Sequence, residues 1–291
     1  MFLAHVNDIV LNLKKPLAQY QLKKILVNNG QFKLVNNVCP HQKSLIISAM
    51  QENLQCRYHA WSWDNNGNPV SNGQTTICNN FHLTMKDVYI SNNLIFSEKV
   101  DLLSLPVDFS HMRLVEERID MIDTSYKNII DVFLDVDHIS VVHPGLYTKV
   151  GVSTSVKVDW EFYDWGNIQL VQKNNPYDEN FEKTLLGLDE EKLSALWVTV
   201  YPYTTIDWQP GCLTIVVCVP INDNLTKTVI YKYRDTRYSD LNWKINSDIW
   251  ETAWQQDTEQ AECIISNANI DSHLEYAKKH FRNWEKINGK I

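Results

Sequence analysis

The segment CPHQKSLIISAMQENLQCRYHAWSW, residues 39–63, carries two cysteine–histidine pairs. Cys39 and His41 form the first pair, and Cys56 and His59 form the second. A thiolate is a soft metal ligand and a neutral imidazole a borderline one, so the four side chains suit either zinc or an iron–sulfur cluster. Each pair supplies one residue of each type, which favours a cluster whose two irons have different ligands; zinc is the alternative.

The composition indicates a globular protein without a strongly basic surface. The chain has 291 residues, 44% of them apolar, which is enough for one large domain or two ordinary ones. Its net charge of −8, with scattered Lys and Arg, argues against binding to nucleic acid or to an anionic membrane. No apolar run approaches the ~20 residues that cross a bilayer, and His5, Asn7 and Asp8 interrupt any signal-peptide core. Six cysteines are too few for a disulfide scaffold, so we expect a cytoplasmic protein that uses some of them for metal.

The two pairs and the turn that follows them resemble a known family signature. CPH, CRYHAW and DNNGNP closely resemble the Rieske [2Fe–2S] motif of ring-hydroxylating oxygenases, although Gln42 replaces the usual Arg and Ala60 the usual Gly. Neither position is a ligand. The resemblance implies that a Rieske [2Fe–2S] cluster is held by Cys39, His41, Cys56 and His59.

The first part of the chain predicts a domain of its own. Short strand-like segments alternate with turns such as Asn66-Gly67 as far as about Ser97. The segment LLSLPVDF around Pro106 then indicates a crossing between domains. We therefore expect an all-β Rieske domain at residues 1–103 and a second, catalytic domain at residues 104–291.

A second group of polar residues lies in SYKNIIDVFLDVDHISVVHPGLY, residues 125–147. At about 100° per residue, an unbroken helix would place Asp131, Asp135 and His138 on one stripe, which taken alone is more typical of a solvated face. His143 would lie about 140° away from His138 on such a helix. Pro144 follows directly and can end the helix, so that His143 turns back towards His138.

FLDVDHISVVHPGL in this segment resembles the motif with which the same oxygenase family binds a mononuclear iron. Val132 stands where the family commonly has Asn, which is not a ligand position. The resemblance implies that His138 and His143 bind Fe(II). It also implies that Asp135 hydrogen-bonds His138 and links it to a cluster histidine of the neighbouring subunit, as a bridge for electron transfer between the two metal sites.

An oxygen-activating iron site of this type needs a carboxylate to complete its 2-His-1-carboxylate triad. In SDLNWKINSDIWETAWQQDTEQAECII, residues 239–265, Trp250 and Trp254 mark an apolar helical stripe that also contains Asp257. A carboxylate on a buried stripe is costly unless it is paired or bound to metal. Asp257 and Glu262 match the family's D-x-x-x-x-E setting, and we expect Asp257 to be the third ligand.

The rest of the second half predicts an antiparallel sheet. Strand-like alternation occurs in VSTSVKVDWEF, NIQLVQK, ALWVTVYPY, CLTIVVCVP and TVIYKYRD. A sheet combined with a long C-terminal helix resembles the helix-grip (START-like) catalytic domain of the family. The predicted fold class is therefore α+β.

The resemblance implies a terminal oxygenase that uses O2 to hydroxylate or oxidatively demethylate a small organic substrate, by mono- or dioxygenation. The chain contains no GxGxxG and no C-x4-C-x2-C, so electrons from NAD(P)H would come through a separate reductase, with a ferredoxin as a further candidate carrier. A homotrimer is implied by the electron path between subunits. Two alternatives stay open: a Rieske electron-transfer protein and a ligand-binding protein, each with an inactive helix-grip domain.

Nine aromatic residues of the second half are candidates for lining a substrate pocket suited to a planar ring or, through cation–π contact, a quaternary ammonium group; ordinary core and surface positions are the alternative for most of them. The candidate side chains are Trp160, Phe162, Trp165, Trp197, Tyr201, Tyr203, Trp208, Trp250 and Trp254.

Overall fold

The computed structural model describes residues 1–11, 17–20, 24–28, 31–46, 54–70, 81–144, 158–172, 193–264 and 276–288. The chain divides into two compact units, Phe2–Ser110 and His111–Ile291. In the described part of the chain, no helix is both long enough and apolar enough to cross a membrane. Strands dominate the first unit, and the second combines one large sheet with helices, so the predicted α+β class is confirmed.

The N-terminal unit is built from three antiparallel sheets of three strands each, in the orders β1-β9-β8, β2-β3-β7 and β4-β5-β6. Helix α1 spans Val6–Leu11, and a 3-10 turn spans Ala18–Tyr20. The strands are β1 (Phe2–His5), β2 (Lys24–Asn28), β3 (Phe32–Asn36), β4 (Leu54–Gln55), β5 (Ser62–Trp63), β6 (Pro69–Val70), β7 (Met85–Asp87), β8 (Tyr89–Ser91) and β9 (Leu94–Phe96).

The turn between β5 and β6 occurs where the sequence predicts it. The Asp64 carboxylate accepts hydrogen bonds from the backbone N–H groups of Asn66 and Asn68, both at 2.8 Å. Gly67 adopts a φ of +82°, a conformation that glycine reaches without steric cost. The turn directs β6 back along β5 and closes the small sheet whose strands β4 and β5 flank the second cysteine–histidine pair.

The boundary between the two units lies after Ser110, seven residues beyond the predicted boundary at residue 103. The segment that was expected to cross between domains is tied to the N-terminal unit. The Asn92 side chain donates to the carbonyl of Val107 at 2.8 Å and accepts from the N–H of Phe109 at 3.0 Å. His5 Nε2 lies 2.8 Å from the carbonyl oxygen of Phe109. These bonds join residues far apart in sequence, so local sequence patterns do not reveal them.

The C-terminal unit contains a seven-stranded antiparallel sheet in the order β10-β16-β15-β14-β13-β12-β11. Its strands are β10 (Met112–Ile122), β11 (Val158–Tyr163), β12 (Gly166–Gln172), β13 (Leu193–Val200), β14 (Thr204–Gln209), β15 (Cys212–Asn222) and β16 (Leu225–Asp235). The predicted antiparallel sheet is confirmed; residues 152–157 of the first predicted strand lie outside the described residues. Strand β10 was not predicted, because five charged side chains interrupt its apolar residues.

Two helices pack against this sheet and form the main core of the unit. Helix α2 (Tyr126–Phe133) begins at Ser125, whose side chain accepts from the N–H of Lys127. The 24-residue helix α4 (Asp240–Cys263) begins at Ser239 in the same way. Ile130, Val216 and Trp250 belong to the shared core, each at 7% exposure or less. A last helix, α5 (Tyr276–Asn288), was not predicted and adds Phe281 to this core.

The helix predicted across residues 125–143 is interrupted. Helix α2 ends at Leu134, and a separate four-residue helix α3 (Ile139–Val142) follows. The Asp135 carboxylate accepts a hydrogen bond from the N–H of Asp137 at 3.2 Å. This local bond competes with the backbone hydrogen bonds that would continue the helix. Asp131 and His138 therefore lie on different sides of a break rather than on one helical stripe.

Candidate metal centres

The two cysteine–histidine loops of the N-terminal unit share one backbone geometry. In the first loop, the N–H of Cys39 donates to the carbonyl of Ser44 at 2.7 Å, and the N–H of Lys43 donates back to the carbonyl of Cys39 at 3.0 Å. In the second, Cys56 and Trp61 form the same first bond at 2.7 Å, and Ala60 donates to Cys56 at 3.0 Å. Each loop thus holds its cysteine in an equivalent tight turn.

One position in each loop has a positive φ. Lys43 and Ala60 occupy equivalent places, and both have a φ of 57°. A side chain in this left-handed region costs roughly 1–2 kcal/mol relative to glycine. The glycine that the family usually has at position 60 is therefore explained by backbone geometry, and Ala60 adopts the same conformation at some cost in stability.

The structure places the predicted cluster ligands as two like pairs, the two cysteines beside each other and the two histidines beside each other. Cys39 and Cys56 are free thiols at 1% and 2% exposure, and the rings of His41 and His59 are 5.1 Å apart. Burial raises the pKa of the Cys39 thiol, the backbone N–H groups of His41 and Gln42 oppose this, and the adjacent Cys56 thiol raises the pKa further. The Cys39 thiol therefore needs a metal to become a thiolate readily.

Two further contacts fit a bound cluster. His41 Nδ1 is buried and has no hydrogen-bond partner among the described residues, so a lone pair there is available to a metal. The N–H of Tyr58 donates to Cys56 Sγ at 3.4 Å, a bond that stabilises negative charge on sulfur. The indole of Trp61 stacks on His41 with ring centroids 4.3 Å apart, whereas His59 is exposed. The donor set therefore fits a Rieske cluster with one histidine open to the surface.

A second set of ligand atoms converges in the C-terminal unit. Asp257 Oδ1 lies 3.1 Å from His138 Nε2 and 2.9 Å from His143 Nε2, and the two nitrogens are 3.3 Å apart. Three ligands on one face of an octahedron, each about 2.1 Å from an ion, lie roughly 3 Å from one another. Among the described residues this is the one group of three or more His, Cys, Asp or Glu side chains whose ligand atoms all lie within 4.8 Å of one another. The arrangement fits a 2-His-1-carboxylate site.

Secondary structure explains how these three residues meet. His138 and His143 flank helix α3, so the break after α2 and the turn at Pro144 bring both rings to one side. Asp257 lies in the C-terminal third of α4, which packs against α2. Glu262, the other sequence candidate, is exposed and accepts from the N–H of Asp123 at 3.2 Å instead. The structure therefore places Asp257, not Glu262, beside the histidines.

The protein environment orients and polarises the triad. Burial alone would raise the pKa of Asp257, but the contacts with His138 and His143 lower it below its ordinary value. Burial lowers the pKa of His143. The contacts with Asp257 and Gln256 outweigh this effect, so the pKa is raised above its ordinary value. The side-chain oxygen of Gln256 lies 2.7 Å from His143 Nδ1 and fixes that nitrogen as the donor, so that Nε2 carries the lone pair that a metal would need. Sequence reasoning missed Gln256.

The expected contact between Asp135 and His138 is not formed. The Asp135 carboxylate pairs instead with Lys278 at 2.7 Å, while His138 Nδ1 is buried without a partner among the described residues. Lys278 belongs to the unpredicted helix α5, so its competition for this carboxylate was not visible in the sequence. Asp135 nevertheless lines the same pocket as His138.

The triad opens into a pocket with about 750 Å³ of empty space, part of it open to solvent. Three of the nine predicted aromatic residues line it: Trp197, Trp250 and Trp254. A further acidic side chain, Asp207 of β14, also lines it and was missed. The sequence did not distinguish it, because Thr205, Asp207 and Gln209 alternate with Ile206 and Trp208 and are equally typical of a solvated strand face.

Two family models match the chain. A model of the Rieske [2Fe–2S] domain matches residues 3–82, and one of the ring hydroxylating alpha subunit (catalytic domain) matches residues 109–262. The chain is 25% identical to the putrescine 2-hydroxylase of Ralstonia nicotianae over 72% of this chain, and spans 62% of that protein's length. It is 23% identical to the putrescine 2-hydroxylase of Bordetella bronchiseptica over 93% of this chain and 74% of that protein.

Solved structures show the same fold. The quaternary ammonium Rieske monooxygenase CntA in complex with L-carnitine has a TM-score of 0.61 at 15% identity, over 82% of this chain and 70% of that chain. NdmA of Pseudomonas putida CBB5 with caffeine has a TM-score of 0.60 at 15% identity, over 98% of this chain and 88% of that chain. With the catalytic-domain match covering more than half of its residues and a Rieske [2Fe–2S] domain preceding it, this chain belongs to the family of ring-hydroxylating alpha subunits.

Proposed function

We propose that this chain is the terminal oxygenase component of a Rieske non-haem iron system, which uses O2 to hydroxylate or oxidatively demethylate a small organic substrate. The observation that carries the proposal is the convergence of His138, His143 and Asp257 at a pocket, in a chain that also holds two complete cysteine–histidine loops. Electron-transfer proteins and simple ligand-binding proteins need only one of these two features.

The proposal gives each ligand set a role. Cys39, His41, Cys56 and His59 hold the [2Fe–2S] cluster within the unit that ends at Ser110, and His138, His143 and Asp257 hold Fe(II) within the unit that follows. When bound, the cluster supplies single electrons and the ferrous iron binds O2. Gln256 keeps His143 in the tautomer that presents Nε2, and the apolar walls around the triad exclude water from the reacting groups.

The similar proteins support both reaction types. Putrescine 2-hydroxylases hydroxylate a diamine, and CntA is a monooxygenase of quaternary ammonium compounds, solved with L-carnitine. NdmA has been solved with caffeine, a methylated purine. The common feature of these substrates and ligands is that they are small nitrogen-containing compounds.

Electrons are proposed to reach the chain from an NAD(P)H-dependent reductase, with or without a ferredoxin, in the cytoplasm where NAD(P)H is available. The exposed His59 and the neighbouring Tyr58, which is 67% exposed, offer a surface on which such a partner could dock close to the cluster. The 291 residues contain neither a dinucleotide-binding glycine motif nor the cysteine spacing of a plant-type ferredoxin.

The active form is proposed to be a homotrimer in which Asp135 joins the iron site to the Rieske histidine of another subunit. Inter-subunit electron transfer is described for the related quaternary ammonium Rieske monooxygenase. Head-to-tail contacts close into a ring only by cyclic repetition. In the single chain Asp135 is paired with Lys278 and His138 Nδ1 is free of partners among the described residues, which leaves that nitrogen available to Asp135 in the assembled ring.

Asp135→Asn is expected to retain both metals and to slow reoxidation of the pre-reduced cluster by O2 at least about tenfold. The amide keeps the size of the side chain but loses the charge that favours coupling to His138. The rate is measured in a single turnover from the recovery of the cluster's visible absorption. The thermal midpoint should change little, because the lost pair with Lys278 is partly exposed and contributes only about 0.2–1 kcal/mol.

Lys278→Met is the matched control for this prediction. It removes the same ion pair but leaves the Asp135 carboxylate in place, so reoxidation should proceed at the wild-type rate or faster. If both variants slow the reaction equally, the ion pair matters and the carboxylate bridge does not. An Asp135→Asn protein that reoxidises at the wild-type rate excludes the bridge.

Substrate-dependent oxygen uptake tests the function as a whole. The purified protein is combined with a surrogate reductase and NADH, and amines, quaternary ammonium compounds and methylated purines are added in turn. We expect at least one class to stimulate oxygen uptake with formation of a hydroxylated or demethylated product. A protein that reduces and reoxidises its cluster but never modifies a compound would be an electron-transfer protein.

A further inference from the structure

One carboxylate of the pocket is not used by the proposed metal site. Asp207 lies on the central strand β14, where the register pairs it with Trp197 on one side and with Thr214 on the other. Directly paired residues of an antiparallel sheet point to the same face. All three side chains accordingly line the pocket that contains the triad.

Asp207 has hydrogen-bond donors but no cationic partner among the described residues. The indole Nε1 of Trp197 donates to Asp207 Oδ1 at 3.1 Å, and the Gln209 side chain also contacts this carboxylate. Lys232 of β16 pairs with Thr214 and therefore lies two strands away from Asp207 on the same cross-strand row. Its ammonium group donates to Ser247 Oγ at 2.9 Å and forms an ion pair with Glu251, so it is committed elsewhere.

The buried position of Asp207 and the lack of a cationic partner among the described residues change the pKa of its carboxyl group. Burial raises the pKa of Asp207 to about 7, the Trp197 bond opposes the rise, and repulsion from Asp257 adds to it. The carboxylate is nevertheless partly accessible, because it opens onto the pocket. A carboxylate that lines a cavity without a counter-charge is unfavourable for stability alone, and such groups are concentrated at binding sites.

We propose that Asp207 determines substrate class by binding a protonated amino group that carries at least one N–H. This inference rests on the oxygenase function proposed above. The ammonium group would donate to the carboxylate oxygen that Trp197 leaves open. The apolar remainder of the substrate would then lie against the Trp250 and Trp254 side of the pocket.

The aromatic residues favour this ligand over a quaternary ammonium group. A cation without N–H is held by the free faces of several rings. Here the Lys232 ammonium lies 4.8 Å from the ring centre of Trp250, and Trp250 and Trp254 stack on each other with centroids 5.5 Å apart. These contacts engage the Trp250 ring and one face of Trp254, whereas the carboxylate and the hydroxyls of Thr205 and Thr214 offer hydrogen-bond acceptors in the same pocket.

Calorimetry of three probes of similar shape tests the inference without turnover. The metal-loaded protein is titrated without O2 or reductant at pH 8 with n-butylammonium, N,N,N-trimethylbutylammonium and neutral n-pentanol. The wild type should bind n-butylammonium most tightly. Asp207→Asn should weaken n-butylammonium binding about 10- to 100-fold, as expected for a lost hydrogen bond to a charged group, and should change pentanol binding little.

Asp248→Asn is the matched control, because it removes the same charge from an exposed position on α4 whose carboxylate pairs only with Lys244 among the contacts described. It should leave all three affinities unchanged. Unliganded Asp207→Asn should unfold at or above the wild-type temperature, since it removes an uncompensated charge. A residue with a purely structural role would instead lower that temperature when replaced.

The inference is overturned if the wild type binds trimethylbutylammonium or pentanol as tightly as n-butylammonium, a comparison that needs no variant to fold. It is also overturned if Asp207→Asn keeps the wild-type affinity for n-butylammonium. Failure of the proposed oxygenase function would appear separately, as a missing Rieske signal or missing mononuclear iron in the same preparation.

Discussion

Asp257→Ala is expected to empty the mononuclear iron site while leaving the Rieske cluster intact. The substitution removes the one carboxylate of the described residues that lies within 3.1 Å of both histidine nitrogens. Two imidazoles alone are a weak site for Fe(II), so the occupancy should fall from about one iron per chain to below about 0.1. Iron analysis after gel filtration gives the total, and the visible absorption gives the cluster.

Glu262→Ala is the control for this experiment. Glu262 lies on the same helix, is exposed, and contacts only a backbone N–H of Asp123 among the contacts described. Its removal should leave mononuclear iron at the wild-type level. The reverse result, with iron lost from Glu262→Ala and kept by Asp257→Ala, would show that the wrong carboxylate has been assigned.

Cys56→Ala should have an equally large effect on the other metal centre. The protein is expected to lose the visible absorption and the EPR signal of the Rieske cluster, because the cluster loses one of its two thiolate ligands. The mononuclear site should still take up about one Fe(II) per chain, since its ligands lie in the other compact unit. Absorption, EPR and iron content are measured on the same sample.

Cys218→Ala is the matched control for the cluster experiment. Cys218 is fully buried in β15, where burial raises its pKa to about 12, so the thiol stays protonated and binds no metal. The variant should keep both metals and lose only some packing energy. Loss of both metals from Cys56→Ala would contradict the assignment of two independent sites.

The candidate metal ligands could be recognised in the sequence because their spacing is local. The two cysteine–histidine loops are short, and each closes on itself through backbone bonds within six residues. Asp257 was distinguished from Glu262 by helical periodicity, which the 24-residue helix α4 preserves. In both cases the information needed for the prediction lies within one segment.

Other features depend on pairings between distant segments. Helix α2 ends at Leu134, where the Asp135 side chain bonds locally, and periodicity alone did not show this break. The partner of Asp135 is a lysine of α5, 143 residues away along the chain. Asp207 became a candidate binding residue only when the strand register placed it beside Trp197 and Thr214.

Iron content and EPR of the intact protein test the central claim most directly. A terminal oxygenase should contain about three irons per chain, two in the cluster and one in the triad, and should show a Rieske signal after reduction by dithionite. One iron per chain should be removed by a mild Fe(II) chelator without change in that signal. Two irons per chain, all in the cluster, or a protein without iron, would contradict the account.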